Sequence, residues 1–318
     1  HFGLIPRAHR CIFVLNELPD LQPRIQVSLF SILEEKEIQI RGFKVRLPLD
    51  IQFIFTSNPE DYTNRGSIVT PLKDRIGSQI LTHYPETVDI AKTITSQESK
   101  LNSETVSKIH IPEIARDIIE QVSFEARESE LVDKKSGVSA RMSITSLQNL
   151  FSSAERRMLI NKEEITSIRM SDFNSVISSI NGKVELVYEG EEEGAEQVSY
   201  NLISDAVKTL FTKYFPKIEK LTKPEEVSVY DSILEWFTVN QVILRDDLSN
   251  KDYESILNKV KDADSLIKRF MPNIDKKDKL FFIEFLLWGL ESFNKLTIMR
   301  TNNGIEFKDP FNNFINKF

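Results

Sequence analysis

Cys11-Ile12-Phe13-Val14-Leu15-Asn16-Glu17 is the stretch on which the reading of this chain turns. A short apolar run that ends in an amide and a carboxylate predicts a strand buried on both faces, as in a parallel sheet. In open α/β sheets, ligands bind beyond the carboxyl ends of the strands, so Asn16 and Glu17 stand where chemistry is done. The plainer alternative is a core strand that ends in a solvated turn.

A second such run, Ile51-Gln52-Phe53-Ile54-Phe55-Thr56-Ser57-Asn58-Pro59, also closes on an amide. Pro59 cannot donate to a strand ladder, so the strand stops before it. Between the two runs, Asp20 is suited to cap a helix and Pro23 to occupy its first turn. Ile25, Leu29, Ile32 and Leu33 then recur at helical spacing. The segment Ile38 to Leu47 alternates apolar and polar residues around Arg41-Gly42, which predicts a β-hairpin. Arg41, Lys44 and Arg46 give that hairpin basic character, which serves equally to protect a solvated strand edge.

Taken in order, these elements resemble the second half of an AAA+ ATPase core, and most closely the magnesium chelatase ATPase subunit and its MoxR-type relatives. The matching residues are Gly3-Leu4-Ile5-Pro6-Arg7-Ala8-His9-Arg10, Asn16-Glu17-Leu18-Pro19-Asp20-Leu21, Ser57-Asn58-Pro59-Glu60, Asp74-Arg75 and Gly137-Val138-Ser139-Ala140-Arg141. The resemblance runs through about residue 182 and thins beyond it. It implies a role for each matched position. Glu17 is the general base on the attacking water, the task a carboxylate at a strand tip facing phosphate can perform. Asn16 stands where the Walker B motif usually has Asp, and an amide is a weaker Mg²⁺ ligand than a carboxylate. Asn58 matches sensor 1, with a turn before Pro59 as its plainer reading. Arg75 matches the arginine finger, against a surface ion pair with Asp74 or Glu86. Arg141 matches sensor 2, against an arginine in solvent at a helix N-terminus, where a cation is slightly unfavourable.

The phosphate cradle of such enzymes, G-x-x-x-x-G-K-[ST], does not occur in the 318 residues. Gly182-Lys183 is the one Gly-Lys pair and Val184 follows it. The expectation is therefore a fragment of a longer ATPase whose P-loop strand lies upstream, unable to hydrolyse ATP alone. The resemblance further implies ATP and Mg²⁺ as cofactors of the full-length parent, a homo-oligomeric ring, and a von Willebrand A-type partner protein. Remodelling of a partner ranks above metal insertion. The competing reading is a scaffold or regulatory protein with a degenerate ATPase core.

Composition narrows the alternatives. A net charge of −7 argues against broad nucleic-acid binding. One Cys excludes an internal disulfide and suits a reducing, cytoplasmic setting. Four scattered His show no metal-ligand spacing. The longest apolar cluster, Leu280 to Trp288, is too short to span a bilayer. The expected fold class is a partial α/β AAA+ core over 1–93, with a parallel sheet and a hairpin insert. An all-α lid follows over 94–182, its last helix running from Glu163 to Ile180. An all-α extension without a chemical motif is expected over 183–318, with an acidic loop or frayed helix start at Glu189 to Gly194.

Overall fold

The run Cys11–Leu15 does form a strand, β1, and Ile51–Phe55 forms a second, β4; the two pair in parallel with Phe13 opposite Phe53 and Leu15 opposite Phe55. The computed structural model describes residues 2–39, 46–58, 67–218, 228–301 and 303–310. The chain divides into two units, His1–His83 and Tyr84–Phe318.

In the first unit, β1 follows the short helix α1 (Leu4–Arg7). A 3₁₀ turn, Leu18–Asp20, leads to α2 (Pro23–Ser28) and α3 (Phe30–Glu35). Pro23 takes the first helical position, as its fixed φ favours. Asp20 lies inside the 3₁₀ turn and caps nothing; Gln22 holds the N-cap position without a side-chain bond. Leu29 and Ile32 are buried as the helical spacing requires, but Ile25 is exposed and Gln26 is buried in its stead. Gln26 is admitted because its amide is fully used. Its Nε2 donates to the carbonyls of Leu21 and Ser67, and its Oε1 accepts from the N–H of Val69. That side chain ties α2 to the strand-like approach to α4 (Thr70–Lys73), beyond which lies Arg75.

The hairpin strands β2 (Glu37–Gln39) and β3 (Arg46–Pro48) pair antiparallel, with Ile38 opposite Leu47. Arg46 meets Glu37 at 3.6 Å. Arg41 and Lys44 lie outside the described residues, as do Pro59 and Glu60. The core of this unit is Leu18, Leu29, Ile32, Leu49, Ile68 and Leu72.

The expectation that β1 is buried on both faces is not met. Ile12 is 65% exposed, Val14 52% and Ile54 45%. Among the described residues β1 and β4 form a two-stranded sheet, and the core covers only the face carrying Phe13, Leu15, Phe53 and Phe55. Side chains alternate across a strand, so the other face stands in solvent.

The second unit opens with α5 (Val88–Glu98), α6 (Ser103–Lys108) and the two-residue strand β5 (Ile109–His110). The sequence boundary at 93/94 thus falls within a helix. Two long helices follow, α7 (Glu113–Glu128) and α8 (Arg141–Ile160). They bury the periodic residues Ile114, Ile118, Ile119 and Val122 on one and Leu147, Leu150, Phe151 and Ala154 on the other.

The helix expected from Glu163 to Ile180 is replaced by strand β6 (Thr166–Ser167), a 3₁₀ segment at Met170–Val176 and the short α9 (Ile177–Asn181). Here β5 and β6 pair in parallel, and Asp172 folds back to accept from the N–H of Arg169 at 2.8 Å. Such a side-chain bond competes with α-helical continuation. The acidic stretch is helical, α10 (Tyr188–Glu193), and stops at Gly194, whose φ of 96° needs a glycine.

The C-terminal segment is not all-α. Helices α11 (Ala195–Tyr214), α12 (Asp231–Phe237), α13 (Asn250–Leu257), α14 (Ala263–Phe270) and α15 (Lys279–Ser292) surround three strands. These are β7 (Val242–Arg245), β8 (Thr297–Thr301) and β9 (Gly304–Lys308), antiparallel in the order β7-β9-β8. Val242, within the extension expected to be all-α, sits in β7 opposite Phe307. Gly304 opens β9 at φ 148°, and a Cβ there would lie 2.2 Å from the carbonyl oxygen of Leu244. Apolar on nearly all sides, α15 runs through the middle of a core that extends from Ile109 to Phe307. Residues 94–182 and 183–318 therefore share one interior. No described helix is long and apolar enough to cross a membrane.

Candidate functional site

The carboxyl ends of β1 and β4 are joined by one side chain. The hydroxyl oxygen of Thr56 accepts from the backbone N–H of Glu17 at 3.0 Å and donates to Asn16 Oδ1 at 3.3 Å. Main-chain bonds flank it: Thr56 N–H to Leu15 C=O at 3.0 Å, and Leu18 N–H to Thr56 C=O at 2.9 Å. The parallel ladder, in register to Leu15 and Phe55, is thereby carried past the strand ends. It brings Asn16-Glu17 beside Thr56-Ser57-Asn58.

Glu17 itself is in the left-handed region, φ 53° and ψ 54°. For a residue with a Cβ that conformation costs about 1–2 kcal/mol, and Arg10, Lys36, Lys162, Asp262 and Asn294 share a positive φ. Here it turns the chain sharply after the strand. Asn16, Glu17 and Asn58 all remain exposed at this tip, while Leu18 next to them is wholly buried and anchors the turn. The result is a polar tip of two amides, two hydroxyls and one carboxylate at the end of a parallel strand pair.

Arg75 belongs to the same unit but is engaged elsewhere. Its Nε donates to Glu34 at 2.8 Å, a second guanidinium nitrogen lies 2.6 Å from the same oxygen, and Nη1 donates to the carbonyl of Pro71 at 2.8 Å. The guanidinium also stands over the ring of Phe30, 5.0 Å from its centroid. The ion pair is with Glu34, not with Asp74 or Glu86. Arg75 lines a groove of about 520 Å³ along β4, with Phe53, Phe55 and Ile76.

Arg141 lies in the second unit, at the first position of α8. Its N–H donates to the hydroxyl of Ser139 at 3.2 Å, and its side chain is exposed. The loop before it is held by Tyr84, whose hydroxyl accepts from the N–H of Val138 at 3.0 Å. Within the first unit, Asn16, Glu17 and Asn58 thus lie at the same end of the β1–β4 pair while Arg75 is held by Glu34; Arg141 belongs to the second unit.

The tip suits a water and a terminal phosphate better than a whole metal–nucleotide complex. Mg²⁺ takes hard oxygens in an octahedron, usually one or two carboxylates with phosphates and waters. Among the described residues Glu17 is the single carboxylate of the tip, and no group of three or more His, Cys, Asp and Glu could hold a metal ion. One carboxylate meets that pattern only together with nucleotide phosphates and waters, so these residues do not make a metal site by themselves.

Thr56 is the residue that sequence reading passed over. The available signal was a hydroxyl between a buried strand and the Ser57-Asn58 pair, at the strand end facing Asn16.

Residues 1–77 match the family model described as the Sigma-54 interaction domain. The match supports similarity of this stretch to an AAA+ ATPase domain and does not single out the magnesium chelatase or MoxR group. Among solved structures, a candidate ATPase from Cytophaga hutchinsonii is 18% identical over 60% of this chain and 64% of its own length, with a TM-score of 0.25. At that score the two are not similar enough to bear on fold or function. The chain spans under two thirds of that protein. No curated protein matches this chain.

Proposed function

We propose that the first unit carries the water-activating half of an AAA+ ATPase centre related to magnesium chelatase and MoxR-type proteins, serving a ring that remodels a partner. The reading is supported by the Thr56 bridge, which ties the backbone of Glu17 and the amide of Asn16 to the end of the neighbouring parallel strand. In that arrangement Glu17 takes the proton of the attacking water as general base, within the ordinary reach of a carboxylate to a bound water. Asn58 and Asn16 hydrogen-bond the water or the terminal phosphate. The phosphate cradle, which these residues do not form, would hold the remainder of the nucleotide. Arg75 would serve the neighbouring subunit and Arg141 its own. For Arg75 this requires leaving Glu34.

The test uses the protein in which this chain is continuous with a phosphate cradle. Glu17→Gln should abolish steady-state hydrolysis while leaving nucleotide affinity within about threefold. An unchanged hydrolysis rate removes Glu17 from the mechanism.

A second reading, a non-enzymatic scaffold with a degenerate core, draws on Asn16 in an acid's place and on the bound state of Arg75. It expects no hydrolysis in the unmutated protein and no effect of Glu17→Gln.

A further inference from the structure

We propose that the second unit binds a small amphipathic anion, an apolar body carrying a phosphate, sulfonate or carboxylate, in a cavity between the β5–β6 pair and the N-terminal ends of α13 and α15. This site is independent of the ATPase reading. The cavity measures about 600 Å³, within the range of small-molecule sites. Ile109, Ile165, Ile168 and Phe281 supply an apolar wall, and beside it the hydroxyl of Thr166 donates to Asn250 Oδ1 at 3.0 Å while Asn250 Nδ2 donates to the carbonyl of Ile165 at 3.0 Å.

Its charge sets it apart from the rest of the molecule. The lining includes Lys108, Lys276, Lys277, Lys279 and Arg169 against the single carboxylate of Glu254. The whole chain, by contrast, carries a net charge of −7. Two of the cations are partly neutralised: Lys108 pairs with Glu104 and Lys279 with Asp264, each at 2.6 Å. Lys276 and Lys277 are exposed at the rim and carry no ion pair among the described residues. A concave wall lined by one sign of charge focuses the field and concentrates counter-ions.

The inner wall holds a fixed cation. Arg169 is only 3% exposed. Its guanidinium donates to the carbonyl of Leu248 at 2.9 Å and to Asn250 Oδ1 at 3.0 Å, and lies 4.1 Å from the ring centroid of Tyr253. Both acceptors are neutral. The nearest buried carboxylates are committed: Asp172 is paired with Arg157, and Glu284 accepts from Tyr253 and from the N–H of Met170. Asp172 and Glu284 favour the charged form of Arg169 from a distance, but the hydrogen bonds of its guanidinium go to neutral oxygens, so an anion in this cavity would meet a buried cation with no charge-assisted bond of its own. Burial lowers the Arg169 pKa to about 10, so the group is still a cation at neutral pH. His110, also in the lining, is fixed by Asp278 at 2.5 Å, which holds the Lys276–Lys279 turn against β5. The site is thus framed before any ligand arrives.

The experiment is a fluorescence titration of the full chain with 8-anilinonaphthalene-1-sulfonate, an anion with an apolar body, and with its uncharged analogue N-phenyl-1-naphthylamine. The sulfonate should bind saturably at one site and more tightly than the neutral analogue. Lys276→Glu/Lys277→Glu should weaken it about tenfold or more, with the neutral probe little changed. Lys276→Gln/Lys277→Gln, which only removes charge, should fall between. Both positions are exposed, and an unaltered circular dichroism spectrum checks that the fold persists. Sulfonate affinity that is the same in wild type and both variants, or equal affinity for the two probes, overturns the proposal.

Discussion

The backbone N–H of Glu17 points at the hydroxyl oxygen of Thr56, 3.0 Å away, across the ends of two parallel strands. One hydroxyl therefore serves two neighbours, since it also donates to Asn16. Thr56→Val keeps the shape and the strand propensity and removes both bonds. It should lower the stability of the first unit by about 1 kcal/mol, read as a shift in urea midpoint. In a protein with a complete nucleotide site it should reduce kcat more than KM, because the carboxylate of Glu17 is left less well aimed. A KM effect with kcat unchanged would assign Thr56 to substrate binding.

Arg75 is held by Glu34 within its own unit. If it acts on a neighbouring subunit, Arg75→Ala should reduce hydrolysis by roughly 10³–10⁵. Mixing that protein with Glu17→Gln should restore part of the rate, because some interfaces would join an intact Glu17 to an intact Arg75. Glu34→Gln leaves the arginine and removes what it must release, so its rate should rise above wild type. Absence of rescue in mixtures shown to exchange subunits would place Arg75 in its own site or outside catalysis.

Burial pushes the carboxyl of Glu284 up to about 7, from an ordinary value of 4.5. A raised carboxylate favours the protonated form in the native state. The contribution of this group is therefore fully kept below about pH 4.5 and is lost as pH rises through 7. The loss amounts to roughly 3 kcal/mol. Glu120, Asp205, Asp246 and Glu291 are also raised by burial and act in the same direction. Denaturant titrations of the second unit at pH 5 and pH 8 should show the decline, and Glu284→Gln should flatten it. An equally steep decline in Glu284→Gln would assign the dependence to the other four groups.

Gly289 lies in the middle of α15 against Phe211, whose Cδ2 would stand 2.0 Å from an added Cβ. Phe211 is itself fully buried and packed against Phe215, Tyr230, Phe285 and Phe293. Helix propensity favours alanine over glycine by about 1 kcal/mol, yet overpacking a core typically costs about 1–3 kcal/mol. The expected outcome is a net loss of thermal stability in Gly289→Ala, and a rise in Tm would show that the ring moves aside freely.

The parts legible in sequence were those with local, repeated signals. The two apolar runs became β1 and β4, and the periodic residues of α7, α8 and α11 became buried faces. Three features of the second unit were not read from the sequence. Strand β7 is four residues long and acquires its identity from β9, some sixty positions later. The Asn303-Gly304 pair was a hairpin signal overlooked under the helical periodicity around it. The break at 166–176 depends on Asp172 turning back to Arg169 and pairing with Arg157. At the candidate site, the polar strand tips were readable, but the left-handed turn at Glu17 and the bond from Thr56 emerge only when the strands meet.

The uneven cover of the β1–β4 pair has a consequence for how the chain would be digested. Isolated two-stranded sheets are marginal, and here Ile12, Val14 and Ile54 are only partly covered. The second unit, by contrast, is threaded by α15 through a continuous interior. Regions with few buried apolar contacts open at the lowest free energy. A protease at low dose should therefore trim the polypeptide from its amino-terminal side first, leaving a resistant remnant that begins near Tyr84.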